Sequence, residues 1–233
     1  VYAQGMSKTL GQFLTDLDAA GELARISVPV SPVLEITEFA QRMALMEAAQ
    51  PSAYAHAFDP DHANLGGQAL LFDNVIESDF PLAINVFGSY ARMERALGCY
   101  NNGGLAAIAE KIAALTRPER PTSVGDLIGK ARQFLSLLRL GPKRVRRGVC
   151  QECVLRTSDG QVDLTRMPIL KCWPLDGNPQ AVGIDMTPQA AGTAGGHGRF
   201  ITFAGIHTIH ADDRNARRPS SHNIGMYRAQ LLD

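Results

Sequence analysis

The sequence predicts an α/β domain followed by the opening of a β-rich second domain. Three observations carry that reading. Apolar residues recur first at helical spacing and then in short continuous runs, in the order helix, strand, helix, strand, strand, helices. From "RLGPKRVRRG" (139–148) onward the texture changes to short apolar runs split by turns. At 233 residues, 45% hydrophobic and 20% charged, the chain has the composition of a globular protein with ample length for a core.

Each element follows from local chemistry. Ser7 is read as the opening of a helix carrying Leu10, Phe13, Leu14 and Leu17 on one face, with Gly21 as its stop. "LARISV" (23–28) reads as a strand closed by Pro29. Residues 33–48 read as a helix with Ile36, Phe39, Ala40 and Met43 on its apolar face. The Pro-, Ala-, Asp- and Gly-rich stretch 50–68 is a loop. "ALLFDNV" (69–75) and "PLAINVF" (81–87) read as buried strands. "GSYARMERALG" (88–98) is a short helix with Ser89 as N-cap and Gly98 just past its end. Two more helices are expected at 103–116 and 122–139. Beyond them "VCQECVL", "VDLTRMPI", "RFITFAGIHTI" and "NIGMYRAQLL" read as strands, separated by the "SDG" turn and a Gly/Ala/Pro-rich loop at 174–198. The boundary between an N-terminal domain of residues 6–145 and a second of 146–233 falls in the basic stretch near residue 145.

Composition narrows the function. Lys plus Arg equals Asp plus Glu at 23 each, so no global field draws the chain to nucleic acid. No run approaches the roughly 18 apolar residues of a membrane-spanning helix, so no integral membrane segment is expected. The start lacks the charged and apolar regions of a secretory signal. Met6 reads as the natural start, with residues 1–5 as upstream read-through or a scar. Cys99, Cys150, Cys153 and Cys172 without a signal point to reduced thiols and a cytoplasmic location.

Several motifs invite chemistry. Zinc at Cys150 and Cys153 needs a second pair some 15–20 residues on, and Leu175 stands where the partner of Cys172 should be. Buried or half-buried thiols are expected instead. The basic cluster Arg139, Lys143, Arg144, Arg146 and Arg147 lacks interleaved aromatics and reads as a solvated linker or a patch facing an acidic partner subunit. His207 and His210 are three apart, which turns them to opposite faces of a strand. With His197 and His222 they read as surface or turn histidines. "GTAGGHG" (192–198) lacks the Lys of a phosphate loop.

"NIGMYR" is different. Buried, Asn223 and Arg228 would each need a partner. Their odd spacing puts them on opposite faces of a regular strand, unless a bulge at Gly225 re-aims one. Asn offers a neutral oxygen to a hard cation, and Arg a fork to phosphate or carboxylate. The other reading is an edge strand with two exposed polar side chains.

"INVFGSYARMERALG", "VDLTRMPILKCWPLDG", "RFITFAGIHTI" and "HNIGMYRAQLLD", in that order, resemble the UbiD family of reversible decarboxylases. The resemblance spans residue 7 to residue 233. It implies an N-terminal α/β domain, then the first part of a split β-barrel (flavin-reductase-like) domain, with a C-terminal α/β domain beyond. It implies prenylated FMN, Mn²⁺ and K⁺ as cofactors, a flavin prenyltransferase as supplier, and a homo-oligomer. The implied substrate is an aromatic or α,β-unsaturated carboxylic acid, such as a hydroxybenzoate-type precursor of ubiquinone. By motif, Asn223 matches the family's metal ligand, Met226, Tyr227 and Arg228 the flavin-lining segment, and Arg228 the arginine beside the substrate carboxylate. The resemblance puts the other ligands and the proton donor past Asp233, so the 233-residue chain alone is expected to be inactive. The alternative is a non-catalytic flavin- or partner-binding module.

Overall fold

Helix α1 (Leu10–Ala19) opens at Thr9, whose Oγ1 accepts a hydrogen bond from the Gln12 amide at 3.2 Å. The computed structural model describes residues 9–116, 125, 129, 146, 148, 151–177, 183, 198–216 and 220–231. Ser7, expected to start this helix, lies outside them. Helix α1 buries Phe13 and Leu17, and the chain turns at Gly21 with φ +72°. There follow β1 (Leu23–Ile26), α2 (Glu35–Ala44), β2 (Ala69–Phe72), β3 (Leu82–Ile84), α3 (Tyr90–Ala96), α4 (Gly104–Thr116), β4 (Phe200–Thr208) and β5 (Asn223–Gln230). Strands β1, β2 and β3 form one sheet in that order, and β4 and β5 form a second. The chain divides into two units, one of Val1–Ala24, Met43–Leu70 and Ala83–Val162, the other of Arg25–Arg42, Leu71–Leu82 and Asp163–Asp233. No described helix is long and apolar enough to cross a membrane.

The first unit is built round Phe13, Leu17, Leu70, Ala91 and a buried ion pair. Ser89 caps α3 through the Arg92 amide at 3.2 Å, and Gly98 follows with φ +69°, as the sequence predicts. That cap sets Arg92 inward, where its Nη1 donates to Glu22 at 2.8 Å and to the Gly67 carbonyl, while Nη2 donates to the Gly66 carbonyl. Both side chains of the pair are fully buried. Burial holds the Arg92 pKa below its usual value, against the opposing pull of Glu22. Gly66 is required here: its φ is +118°, and a Cβ would meet the Gly88 carbonyl oxygen.

In the second unit Val30 bridges Val75 in parallel, and Lys171 exchanges backbone hydrogen bonds with Pro32 and Leu34 at 3.0 and 2.8 Å. Ile36, Phe72, Ile169, Leu170 and Phe200 supply its buried apolar side chains. Leu170 in turn bridges Phe200, which ties the root of β4 to this core.

Several expectations are corrected. Helix α2 is shorter than 33–48, because Ser31 Oγ accepts from the Val33 amide and Leu34 sits at φ +67° before the helix begins. Of its predicted face Ile36 is fully buried, whereas Phe39 is 45% exposed and meets Phe72 edge-on. Strand β3 is half-buried and ends at Asn85, whose φ of +57° breaks extended structure while its Nδ2 donates to the Gly66 and Gln68 carbonyls. Among the described residues of 149–155 and 162–169 there is no strand. Asp163 accepts from the amide and hydroxyl of Thr165 and folds Leu164–Arg166 into a 3₁₀ turn, an Asx motif winning over alternation. Cys99 is buried and Cys172 half-buried, but Cys153 is exposed. Of the expected helix at 122–139 only Gly125 and Gly129 are described, both helical; the rest of it, Cys150, His197 and almost all of the basic cluster lie outside the described residues.

Candidate functional site

Strands β4 and β5 pair antiparallel, from Phe200 opposite Gln230 to Thr208 opposite Asn223. Alternation along each strand then sorts the side chains. Phe200, Gly205 and His207 share a face with Ile224, Met226, Arg228 and Gln230. Ile201, Ala204, Ile206 and Thr208 share the other with Asn223, Gly225, Tyr227 and Ala229. Asn223 and Arg228 therefore do point to opposite faces. The expected bulge is misplaced, however. The register slips between Ile201 and Ala204, so that Thr202 and Phe203 together oppose Arg228, and Gly225 stays in register with Ile206. Gly225 has a different use: the Tyr227 ring lies over it, and a Cβ there would collide with Tyr227 Cε2.

Arg228 is the best-anchored polar group on the ribbon. Its Nη1 donates to both oxygens of Asp176, at 2.9 and 3.2 Å, and its guanidinium lies 4.1 Å above the Phe200 ring. The Asp176 side chain is only 6% exposed, whereas that of Arg228 is 57% exposed. Gly177 and Gly198, at φ +72° and +59°, bring their backbones together beside Asp176, an approach that any Cβ would block. Asp176 thus holds Nη1 and Phe200 lies under the guanidinium plane, while the Arg228 side chain stays 57% exposed. Buried Gln230 Nε2, on the same face, has no hydrogen-bond partner. Asn223 is exposed at the start of β5, and Met226 and Tyr227 are 64% and 61% exposed. No group of three or more His, Cys, Asp or Glu side chains able to hold a metal occurs among the described residues.

The connection from β4 to β5 is knotted by Asp213. Its Oδ2 accepts from the amides and hydroxyls of both Ser220 and Ser221, at 2.7–3.1 Å. The Ser221 bonds, with those of Ser220, hold the Asp213 carboxyl below its usual pKa. The knot is therefore at full strength above the ordinary carboxylate value of about 3.9 and is lost as pH falls through the lower folded value. Followed by NMR, the Ser220 and Ser221 amide shifts are expected to hold steady down to about pH 4 and move only below it. A midpoint at the ordinary carboxylate value would contradict the knot. Just beyond it, His222 Nε2 lies 3.3 Å from His207 Nδ1.

Two of these partners escaped the sequence reading. Asp176 stands in the "WPLDG" turn, closed by the Asp176 amide to the Trp173 carbonyl at 3.1 Å, and an Asp-Gly pair reads first as turn chemistry. His207 and His222, expected as surface or turn histidines, are neighbours across the hairpin.

Two family descriptions match the chain. The 3-octaprenyl-4-hydroxybenzoate carboxy-lyase N-terminal domain matches residues 14–112, and the Rift-related domain of the same carboxy-lyase matches residues 143–233. An uncharacterised protein of Aquifex aeolicus (strain VF5) is 35% identical over 226 residues, covering 97% of this chain and 36% of the relative. Among solved structures, the fold is similar to vanillic acid decarboxylase of Sedimentibacter hydroxybenzoicus in its open form, with TM-score 0.57, 18% identity, and 97% and 35% of the two chains covered. It is also similar to an evolved dimeric UbiD-class enzyme of Pelotomaculum thermopropionicum in complex with prFMN, with TM-score 0.53, 19% identity, and 96% and 36% covered. The chain thus spans about a third of the length of the relatives it matches. With both matches consecutive and on a fold shared with these enzymes, the chain belongs to the UbiD family.

Proposed function

We propose that the protein takes part in the non-oxidative decarboxylation of an aromatic or α,β-unsaturated carboxylic acid, with prenylated FMN as cofactor. The observation that carries this reading is Arg228: its Nη1 is held by Asp176 and its guanidinium lies over Phe200, while its side chain stays exposed on the ribbon. A planar fork held this way suits a carboxylate or a phosphate. The residues present fit the cofactor. Met226 and Tyr227 offer apolar surface of ring size, the unpaired Gln230 Nε2 is a spare donor, and Asn223 offers a neutral oxygen to a hard cation. When bound, prenylated FMN supplies the electron sink for the pair left as CO₂ departs.

In this reading Arg228 binds and orients the substrate carboxylate, and stabilises charge beside it. Asn223 would supply a neutral oxygen to Mn²⁺, and K⁺ is the second cation of the proposed cofactor set. Met226, on the face of Arg228, would shield the ring from water, and Tyr227 would line the cofactor from the opposite face, that of Asn223. We propose further that residues 6–145 form the N-terminal α/β domain and residues 146–233 belong to a split β-barrel, in a homo-oligomer supplied by a flavin prenyltransferase. A hydroxybenzoate-type acid is the proposed substrate class. The test is CO₂ release and flavin absorbance of the full-length protein that carries this chain, after reconstitution with prenylated FMN and Mn²⁺. Release from candidate acids supports the reading, and the absence of both flavin uptake and release overturns it.

Asn223→Ala is expected to lower cofactor retention, and added Mn²⁺ is expected to restore part of it by mass action. Flavin absorbance after desalting, at two Mn²⁺ concentrations, reads both effects. Retention equal to that of the unmodified protein would remove Asn223 from the metal site.

A further inference from the structure

His207 and His222 form a constellation that the proposed decarboxylation does not use. His207 lies on β4 and His222 immediately precedes β5, both on the side opposite Asn223, with rings stacked at a centroid distance of 5.5 Å and 29° between planes. Nδ1 of His207 and Nε2 of His222 are 3.3 Å apart, longer than the roughly 2.7–3.2 Å of an ordinary N–H hydrogen bond. The spacing has another match. Two imidazole nitrogens bound at about 2.0–2.1 Å to a tetrahedral ion stand roughly 3.3 Å apart, with the ion off the line joining them.

The backbone holds this spacing. His207 is in register with Ile224, and the pair Thr208–Asn223 flanks His222 directly. On the other side of His222 the Asp213 knot fixes Ser221 by bonds of 2.9 and 2.7 Å. Both rings are exposed, so an ion can enter without opening the fold. Because no third His, Cys, Asp or Glu joins them among the described residues, water is left to complete the coordination.

We propose that His207 and His222 form a two-imidazole site for a borderline divalent ion of the zinc, nickel or copper kind. Imidazole selects such ions, whereas the hard Mn²⁺ favours oxygen. The site is open, with exchangeable water positions where an external ligand can bind.

The test is calorimetric titration of the metal-stripped protein with Zn²⁺, beside His207→Ala, His222→Ala and the double variant. The unmodified protein is expected to bind one equivalent more than the double variant. Each single variant is expected to weaken that equivalent by roughly 10-fold or more, at least the loss that follows removal of a mere outer partner of a metal ligand. Asn223→Ala is expected to leave it intact. Because both histidines are exposed, circular dichroism of the variants should match the unmodified protein. Paramagnetic resonance of bound Cu²⁺ should show two imidazole nitrogens, falling to one in either single variant. Equal stoichiometry and affinity in the unmodified protein and the double variant, or a Cu²⁺ spectrum unchanged by both substitutions, overturns the proposal.

Discussion

In the complete enzyme, Arg228→Ala is expected to lower turnover by roughly a hundred-fold while leaving flavin at least partly bound, on the scale of deleting a donor that stabilises developing charge. The substitution removes the charge that meets the substrate carboxylate, yet Asn223 and the apolar residues of the ribbon remain. It also strands the Asp176 carboxylate, whose side chain is 6% exposed and whose partner is gone. A stability loss accompanies the catalytic one for that reason, tempered because the guanidinium itself is half in water. The double variant Arg228→Ala with Asp176→Asn separates the two effects. Neutralising the stranded carboxylate is expected to restore thermal stability and leave turnover low. Arg228→Lys is expected to rescue little, since an ammonium keeps the charge but neither the fork nor the stacking on Phe200. Asp176→Asn alone leaves Arg228 charged but loosely placed, so KM is expected to rise more than the cofactor signal falls. Normal turnover in both Arg228 variants would return this arginine to an exposed edge-strand role.

Arg92→Ala acts on the other unit and through stability alone. It leaves Glu22 fully buried without a countercharge and deprives the Gly67 carbonyl of its side-chain donor. Breaking such a pair from one side costs about 3–5 kcal/mol, a large share of a typical domain's total stability. The Gly66 carbonyl is partly spared, because Asn85 Nδ2 still donates to it at 2.8 Å. Replacing both partners, with Arg92→Met and Glu22→Gln, removes the stranded charge and is expected to recover much of the loss. Urea denaturation of the three proteins reads the difference as a shift in midpoint. A loss below about 1 kcal/mol for Arg92→Ala would mean that water reaches Glu22 when its partner leaves.

The sequence alone determined whatever depends on neighbours in the chain. Ser89 and Gly98 bracket α3 because a hydroxyl cap and a left-handed residue act within one turn. Phe13 and Leu17 are buried because helical spacing puts them on one side. Strands β4 and β5 follow from their apolar runs, and the opposite facing of Asn223 and Arg228 follows from a period of two. Local competition was harder to read. Asp163 turned an alternating stretch into a 3₁₀ turn, and Asn85 ended a strand, by hydrogen bonds whose worth depends on which carbonyls and amides lie within reach.

Only the tertiary structure decided who meets whom across the chain. Glu22 and Arg92 are 70 residues apart, and Asp176 and Arg228 are 52 apart. His207 and His222 meet through a hairpin register that no single residue specifies. The bulge fell opposite Arg228 rather than at Gly225, where the Tyr227 ring already occupies the space over the missing side chain. Buried charges and paired ligands need partners brought from afar, and the backbone packing that brings them is a property of the whole fold rather than of any segment.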